Sequence, residues 1–186
     1  LDEHLHRLEL VLQRLVDTGL KLKPSKCRLL QRRVVFLGHV VTEDGVSTDP
    51  AKTEQIAKWP RPRSFREVRG FLGLCGYYRK FIDKYAELAA PLTSMLNKGY
   101  KFCWSDEAEA AFETLKAVLT SPPILAMPKD EGLYILDTDA SDVSIGAVLS
   151  QVQDGQERVI AYAAKVLQPA QRNYCVTRRE LLAVIT

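Results

Sequence analysis

The chain has 186 residues, of which 46% are hydrophobic and 26% charged, and its formal net charge at pH 7 is +3. This length predicts one or two globular cores, and since no apolar run approaches about 18 residues, no transmembrane helix is expected. The N-terminus lacks a secretory signal pattern, and the four cysteines are widely spaced without a C-x-x-C pair. A disulfide framework and a zinc site are therefore not expected, and an intracellular protein is favoured.

The charges are unevenly distributed along the chain. Residues 1–100 carry 18 Lys and Arg against 11 Asp and Glu, whereas residues 101–186 carry 8 against 12. A basic first half suits a polyanion-binding part, and an acidic second half suits a metal-binding part. Ordinary variation in solvated surface charge is the simpler alternative, and the charge count alone leaves both open.

The first half of the chain predicts one helix, a hairpin and three further helices. Leu and Val at three- to four-residue spacing indicate an amphipathic helix that ends near Gly19. The β-rich run 34–41, followed by a turn at 42–45, indicates a hairpin in which 36–41 forms one arm. Its internal Gly38 indicates a bend or a close backbone approach. Asp49-Pro50 starts a helix that runs to about residue 59, and Ser64 caps another over about 65–82, followed by one over about 85–96.

The second half predicts one helix, three strands and a last helix. Asp106 and Glu109 fit a capping box, and the helix that they open stops at Pro122-Pro123. Strand-like runs follow at about 132–138, 144–151 and 157–164, and the last helix starts at about Arg172.

The predicted helix 65–82 has two unlike faces when its residues are placed at 100° intervals. One arc is apolar, and the opposite arc carries Arg66, Arg69, Gly70, Gly73, Gly76, Tyr77 and Lys80. Each glycine costs about 1 kcal/mol relative to alanine inside a helix. Glycines flanked by basic and aromatic side chains permit close approach of a nucleic acid. Packing against another helix through small residues is the alternative.

Acidic residues lie at the end of the first strand of the second half and on the last helix. An apolar run enters Asp137, Asp139 and Asp142, and Glu180 follows on the helix. A carboxylate at a strand end and another on a following helix can share a Mg²⁺ site that hydrolyses or transfers phosphodiesters. In the alternative interpretation, the aspartates are turn residues and Glu180 is a solvated helix residue.

Several motifs resemble those of one family. Phe36-Leu-Gly-His39 resembles the primer-grip hairpin of a reverse transcriptase. The run 69–82, followed by Ala90-Pro-Leu92, resembles the thumb of the Ty3/gypsy retrotransposon and gammaretroviral branch, and 102–125 resembles the family's segment after that thumb. Thr138-Asp-Ala-Ser141, Gly146-Ala-Val-Leu-Ser150 and the run 177–183 resemble the opening half of a ribonuclease H domain. The resemblance extends over essentially all 186 residues.

The resemblance implies an α+β fold of several subdomains. Residues 1–48 would be the end of the palm with the primer-grip hairpin, 49–98 the helical thumb and 99–130 a connector helix. Residues 131–186 would be a truncated ribonuclease H-like domain with three antiparallel strands plus a helix. Helical patterns reach both ends of the chain, so it is expected to be a fragment. Alone, it should neither polymerise nor cleave, and it should be loosely ordered after about residue 130.

The resemblance also implies RNA-directed DNA polymerase and ribonuclease H activity in the parent protein. The polymerase motif Tyr-x-Asp-Asp would lie upstream of Leu1. The family's ribonuclease H uses four acidic residues that bind Mg²⁺, or Mn²⁺ in its place, and are catalytic. Asp139 matches the first of the four and Glu180 the second. The other two would lie beyond Thr186. In gammaretroviruses the matching region resembles a degenerate connection domain that has lost the helix acid, so the retained acids favour a cleaving domain.

The implied partners are a template–primer duplex, an RNA–DNA hybrid and the rest of the chain's own polyprotein, with no membrane. The expected location is a cytoplasmic particle or the nucleus. The residues expected to contact nucleic acid come from the primer grip and the thumb: Phe36, Leu37, Gly38, His39, Arg66, Arg69, Gly73, Tyr77 and Lys80.

Two other functions compete with this interpretation. A non-enzymatic nucleic-acid-binding derivative would keep the thumb and connector, and the sequence leaves it open. A haloacid-dehalogenase-like phosphatase would use Asp137 as its nucleophile within Asp137-Thr-Asp139. That fold places its motif in a parallel βαβ sheet, whereas a hairpin-like strand pair follows the motif here.

Overall fold

A computed structural model describes residues 2–97, 99 and 101–186, and the chain divides into compact units of residues 1–34 and 35–186. The first unit contains helix α1 (Asp2–Asp17) and a 3₁₀ turn (Pro24–Lys26). The predicted first helix is thus confirmed, and Gly19 follows it with a φ of +70°. None of the residues of α1 is buried, and Leu10, Val11 and Val16 are more than half exposed.

The second unit contains two three-stranded sheets and six further α-helices among its described residues. In chain order the elements are β1 (Val34–Phe36, starting at the last residue of the first unit), β2 (His39–Thr42), β3 (Gly45–Thr48), α2 (Pro50–Ala57), α3 (Phe65–Tyr77), a 3₁₀ turn (Arg79–Phe81), α4 (Tyr85–Ser94), α5 (Asp106–Thr120), β4 (Tyr134–Ala140), β5 (Ser144–Gln153), β6 (Gln156–Val166), α6 (Pro169–Arg172) and α7 (Val176–Ile185). The sheets have the orders β1-β2-β3 and β4-β5-β6. The α+β fold predicted from the sequence is confirmed.

Helix starts follow local capping chemistry. The Asp49 side chain accepts a hydrogen bond from the Ala51 amide at 3.0 Å, and Ser64 accepts one from the Glu67 amide at 3.3 Å, as predicted. The predicted cap at Asp106 is wrong, because Ser105 caps α5 by accepting from the Ala108 amide. Ser105 has the extended backbone that a cap requires, which leaves Asp106 as the first helical residue.

Helix α3 is shorter than the predicted helix over 65–82. It ends at Tyr77, and the chain then tightens into a 3₁₀ turn that places Tyr78, Phe81 and Ile82 in the core. The last helix is also shorter than predicted, because Pro169–Arg172 forms a separate turn before α7 begins at Val176.

The main core joins α2, α3, α4 and α5. Phe71 of α3 and Phe112 of α5 are both buried, with ring centroids 4.7 Å apart, and Leu92 and Leu115 pack in the same cluster. Cys75 is buried there too, and its burial raises the thiol pKa to about 12, so it stays protonated at neutral pH. All four cysteines are free. The residues expected to form the thumb and the connector therefore share one core.

A short extended segment joins the two sheets. Val46 of β3 and Leu125 exchange backbone hydrogen bonds of 2.7 and 2.9 Å, and the Ala126 amide donates to the Val159 carbonyl of β6 at 2.8 Å. At Gly45 (φ +137°) an added Cβ would lie 2.2 Å from the Leu125 carbonyl oxygen. Glycine is therefore required for this approach.

The second core is small. Ile145, Leu167 and Ala183 are its buried members, with Ala140 and Leu182 partly buried against them. Along β4, which lies at the edge of its sheet, Tyr134 and Leu136 are largely exposed. Such an edge is open to pairing with another chain.

We expect amide hydrogen exchange to show this difference between the two cores. Amides across 133–138 should exchange faster than those across 65–82 in a monomeric sample, because few buried contacts oppose local opening of β4. Equal protection of the two segments would contradict the prediction that the chain is loosely ordered after about residue 130.

Candidate nucleic-acid interface and carboxylate site

The residues between β1 and β2 form a tight turn. Leu37 and Gly38 both have positive φ, 47° and 72°, the combination found in two-residue hairpin turns. Phe36 and Leu37 are 63% and 70% exposed. The predicted bend at Gly38 is confirmed, but the prediction that 36–41 forms one hairpin arm is wrong, because this turn divides the run into β1 and β2. The turn presents two apolar side chains to solvent.

Two tyrosines at the end of α3 bind this turn. The Tyr77 hydroxyl donates to the Leu37 carbonyl, and the Tyr78 hydroxyl donates to the Gly38 carbonyl at 2.9 Å. Burial raises the pKa of Tyr78 above its ordinary value, so its hydroxyl keeps its proton. His39 lies against both tyrosine rings, with centroids 5.4 and 5.7 Å away.

Sequence reasoning missed the role of Tyr78 and placed it only on the apolar arc. A signal was present, because a buried tyrosine usually requires a partner for its hydroxyl. Its ring is 1% exposed, and its partner is 40 residues earlier in the chain.

The opposite face of α3 is open. Arg66, Arg69, Gly70 and Gly73 are all exposed. A Cβ added at Gly73 would meet no atom of the described chain within 4 Å, and one at Gly70 would meet only Trp59 at 4.0 Å. At Gly70 and Gly73 this face is therefore not a helix-packing surface among the described residues. A Cβ added at Gly76 would lie 3.5 Å from the Tyr85 hydroxyl of α4, so the alternative explanation, helix packing, holds at that glycine alone of the three.

Lys80 lies in the 3₁₀ turn after α3 and is less exposed than Arg66 and Arg69, the other predicted basic contacts. The helix ends before it, so its wheel position beside Arg66 and Arg69 is wrong. It is half-buried, with its ammonium 5.1 Å from the centre of the Phe81 ring, and burial lowers its pKa. Its predicted proximity to phosphates stays a prediction.

Asp139 lies near the end of β4 and contacts the start of α4. Its carboxylate is 64% exposed, and its Oδ2 is 3.0 Å from the Lys84 Nζ. The hydrogen bond to Asp139 raises the pKa of Lys84, which stays charged at neutral pH. In the β4–β5 register Asp139 is opposite Gly146.

Helix α7 packs on the sheet through Ala183 and the buried Arg179. Arg179 donates to the Ser141 carbonyl at 3.0 Å and pairs with Asp142, one of the aspartates that follow the apolar run. Ile145, opposite Ala140, packs against Ala183, so regular alternation puts Asp139 on the other face at this position. Glu180 is half-buried on α7, and its convergence with Asp139 stays a prediction.

Comparison with known proteins places this architecture in a family. Residues 104–186 match the family model of the RNase H-like domain found in reverse transcriptase. The whole chain is 43% identical to the retrovirus-related Pol polyprotein from transposon 297 of Drosophila melanogaster, over 17% of that protein. It is 36% identical over 98% of its length to the Tf2-3 transposon polyprotein of Schizosaccharomyces pombe, over 14% of that protein.

The chain belongs to the reverse transcriptase/ribonuclease H region of Ty3/gypsy-type retrotransposon polyproteins. It therefore spans about a sixth of the curated relatives that it matches. Its fold is similar to the foamy viral protease-reverse transcriptase solved in complex with double-stranded DNA. That match has 25% identity and a TM-score of 0.81, and it covers 98% of this chain and 32% of that one.

The carboxylates of this retrotransposon chain are the right type of ligand for a hard divalent cation, but too few of them lie together among the described residues to hold one. Carboxylates are the ligands that Mg²⁺ prefers, and the exposed Asp139 carboxylate already takes a cationic partner, the Lys84 ammonium. Within residues 2–97, 99 and 101–186, no three His, Cys, Asp or Glu side chains are grouped to hold a metal.

Proposed function

We propose that this chain is the part of a reverse transcriptase/ribonuclease H that grips a template–primer duplex or an RNA–DNA hybrid. The observation that carries the proposal is the junction of two exposed elements. The 36–39 turn and the open glycine face of α3 are joined directly by Tyr77, whose ring is half exposed between them. The foamy viral protein of the same fold was solved on double-stranded DNA, which supports a duplex as the ligand.

The two elements would make different contacts. The bare backbone at Gly73 leaves room for a sugar–phosphate strand, and Arg66 and Arg69 on the same exposed face would pair with phosphates. Lys80 would add charge beside the helix end. Phe36 and Leu37 would pack on the primer end, which lies toward polymerase aspartates outside this chain.

We further propose that Asp139 and Glu180 supply two of the acidic ligands of the ribonuclease H site, which requires the Asp139 side chain to leave Lys84 and turn toward the sheet face that α7 covers. The chemistry that Mg²⁺ supplies in such sites is activation of water and stabilisation of the leaving oxygen. The protein's own contribution is to hold two carboxylates on separate elements, β4 and α7. Arg179 fixes α7 against the end of β4 through Ser141 and Asp142.

The Lys84–Asp139 ion pair favours a second candidate, a nucleic-acid-binding derivative that does not cleave. A carboxylate neutralised by an ammonium is a weaker metal ligand until that ammonium moves away. Both side chains are more than half exposed, so water and dissolved salt weaken the ion pair, and another cation can replace the ammonium beside Asp139. Assay of the intact protein for RNA cleavage separates the two candidates.

We expect Arg69→Ala together with Gly73→Leu to weaken duplex binding by the intact polymerase by at least about tenfold, or 1.4 kcal/mol. Leucine would fill the open space over Gly73, and removal of the arginine would abolish an ion pair with a phosphate. The slope of log affinity against log salt should fall by roughly 0.7–0.9 for each phosphate that is no longer neutralised. Titration of a labelled duplex at several salt concentrations measures both.

Lys129→Ala is the matched control, since it removes one positive charge that is paired with Asp154 and does not touch α3. Its binding should stay within about twofold of the unaltered protein. Unchanged affinity in the double variant would show that the α3 face does not bind the duplex.

A further inference from the structure

We infer that Tyr77 and Tyr78 form a tyrosine latch that holds the 36–39 turn to α3, which makes Tyr78 a positioning residue for the primer end. The latch is the pair of hydrogen bonds from the two hydroxyls to the Leu37 and Gly38 carbonyls. The inference rests on the proposed function and deepens it, because Tyr78 is buried and acts only through the turn.

The latch lies at the C-terminal end of α3. Tyr78 is the cap residue at which the helix gives way to the 3₁₀ turn, with φ −95° and ψ 10°. The two adjacent rings meet edge to face at 5.0 Å, and both hydroxyls reach consecutive carbonyls of one turn.

Other groups close the same turn from the remaining sides. The Asp49 amide donates to the Gly38 carbonyl at 3.1 Å, and the His39 Nδ1 lies 2.9 Å from the Leu37 carbonyl. Because a carbonyl only accepts, Nδ1 is the donor in this hydrogen bond. Phe81 stacks on His39 with centroids 5.6 Å apart. The two residues with positive φ are therefore fixed by side chains from α3 and the turn after it, by His39 of β2 and by the Asp49 backbone amide.

The consequence is a fixed relation between two contact surfaces. A duplex seated on the Arg69–Gly73 face would meet the exposed Phe36 and Leu37 in one geometry. Rates of bond formation fall steeply when a reacting group is misplaced by as little as about 1 Å. A looser turn should therefore slow nucleotide addition more than it weakens duplex binding, since the α3 contacts remain.

The test is Tyr78→Phe in the intact polymerase, with Tyr85→Phe as the matched control. Both remove one tyrosine hydroxyl that donates to a backbone carbonyl, but the Tyr85 hydroxyl donates to Leu72 at 3.3 Å and does not touch the turn. For Tyr78→Phe we expect kcat of nucleotide addition at saturating duplex to fall about fivefold. The duplex Kd should change by less than about twofold, and Tyr85→Phe should leave both near their normal values.

A second readout reports on the turn itself. The amides of 37–40 should exchange faster in Tyr78→Phe than in Tyr85→Phe at equal global stability. Equal kcat in the two variants, or a Kd that rises as much as kcat falls, would overturn the latch. Such a result would not contradict the proposed function, because that function is tested by the duplex affinity of the Arg69→Ala, Gly73→Leu double variant.

Discussion

Replacing Glu180 by glutamine in the intact retrotransposon polyprotein enzyme will lower RNA cleavage in an RNA–DNA hybrid by at least about a hundredfold, while primer extension stays near its normal rate. An amide oxygen carries no charge and is a much poorer ligand for a divalent cation. The residues proposed to grip the primer lie in the 36–39 turn and α3 and not in α7, so extension serves as an internal measure of folding. Cleavage of a labelled hybrid and extension of a primer are followed in the same preparation.

Asp137→Asn is the matched control for this experiment. Asp137 is exposed on β4 two residues before Asp139 and lies opposite Val148. It has no place in the proposed ligand set, so its variant should cleave within about twofold of normal. A Glu180→Gln enzyme that cleaved as well as Asp137→Asn would exclude Glu180 from the site. An unaltered enzyme that extends primers but never cleaves would establish the non-cleaving candidate.

Replacing Gly45 by alanine should destabilise the second unit by about 3 kcal/mol or more. The new Cβ would lie 2.2 Å from the Leu125 carbonyl oxygen, at a φ of +137° that suits glycine alone. Either β3 or the Leu125 segment must shift, which breaks the paired hydrogen bonds between Val46 and Leu125. The shift in the urea midpoint, at unchanged slope, gives the loss in the free energy of unfolding.

Gly155→Ala separates this close approach from backbone strain alone. Gly155 also has a positive φ, +76°, but an added Cβ there meets no atom of the described chain within 4 Å. Its cost should be about 1 kcal/mol, the penalty for a left-handed alanine. Equal losses of unfolding free energy in the two variants would show that the Leu125 segment can move away from residue 45 without destabilising the protein.

The features that could be predicted from the sequence are those set by residues close together along the chain. The caps at Asp49 and Ser64, the bend at Gly38 and the three-strand run after residue 130 follow from neighbouring residues, and the structure confirms them. The contacts that define the site are between residues distant in sequence, and no spacing rule predicts them.

Three errors or omissions share that cause. Helix α3 ends at Tyr77, and the residues after it, Tyr78 and Phe81, are buried against groups distant in sequence. The buried Arg179 is held by Ser141 and Asp142 from another element, so it resembled an ordinary solvated charge in the sequence. Motif resemblance proposed Asp139 and Glu180, but Lys84, the actual partner of Asp139, lies in a segment with no motif of its own.

The two backbone hydrogen bonds between Val46 and Leu125 constrain the order in which this region folds during synthesis. On a ribosome β2 and β3 emerge early, but the partner of β3 is synthesised only after the whole of α2 to α5. Closing so long a loop is slow, and ordering the helices first shortens the effective loop. The helical core would therefore form before the second sheet is attached, and a ribosome stalled before Leu125 would carry a nascent chain whose β3 is still open to other chains.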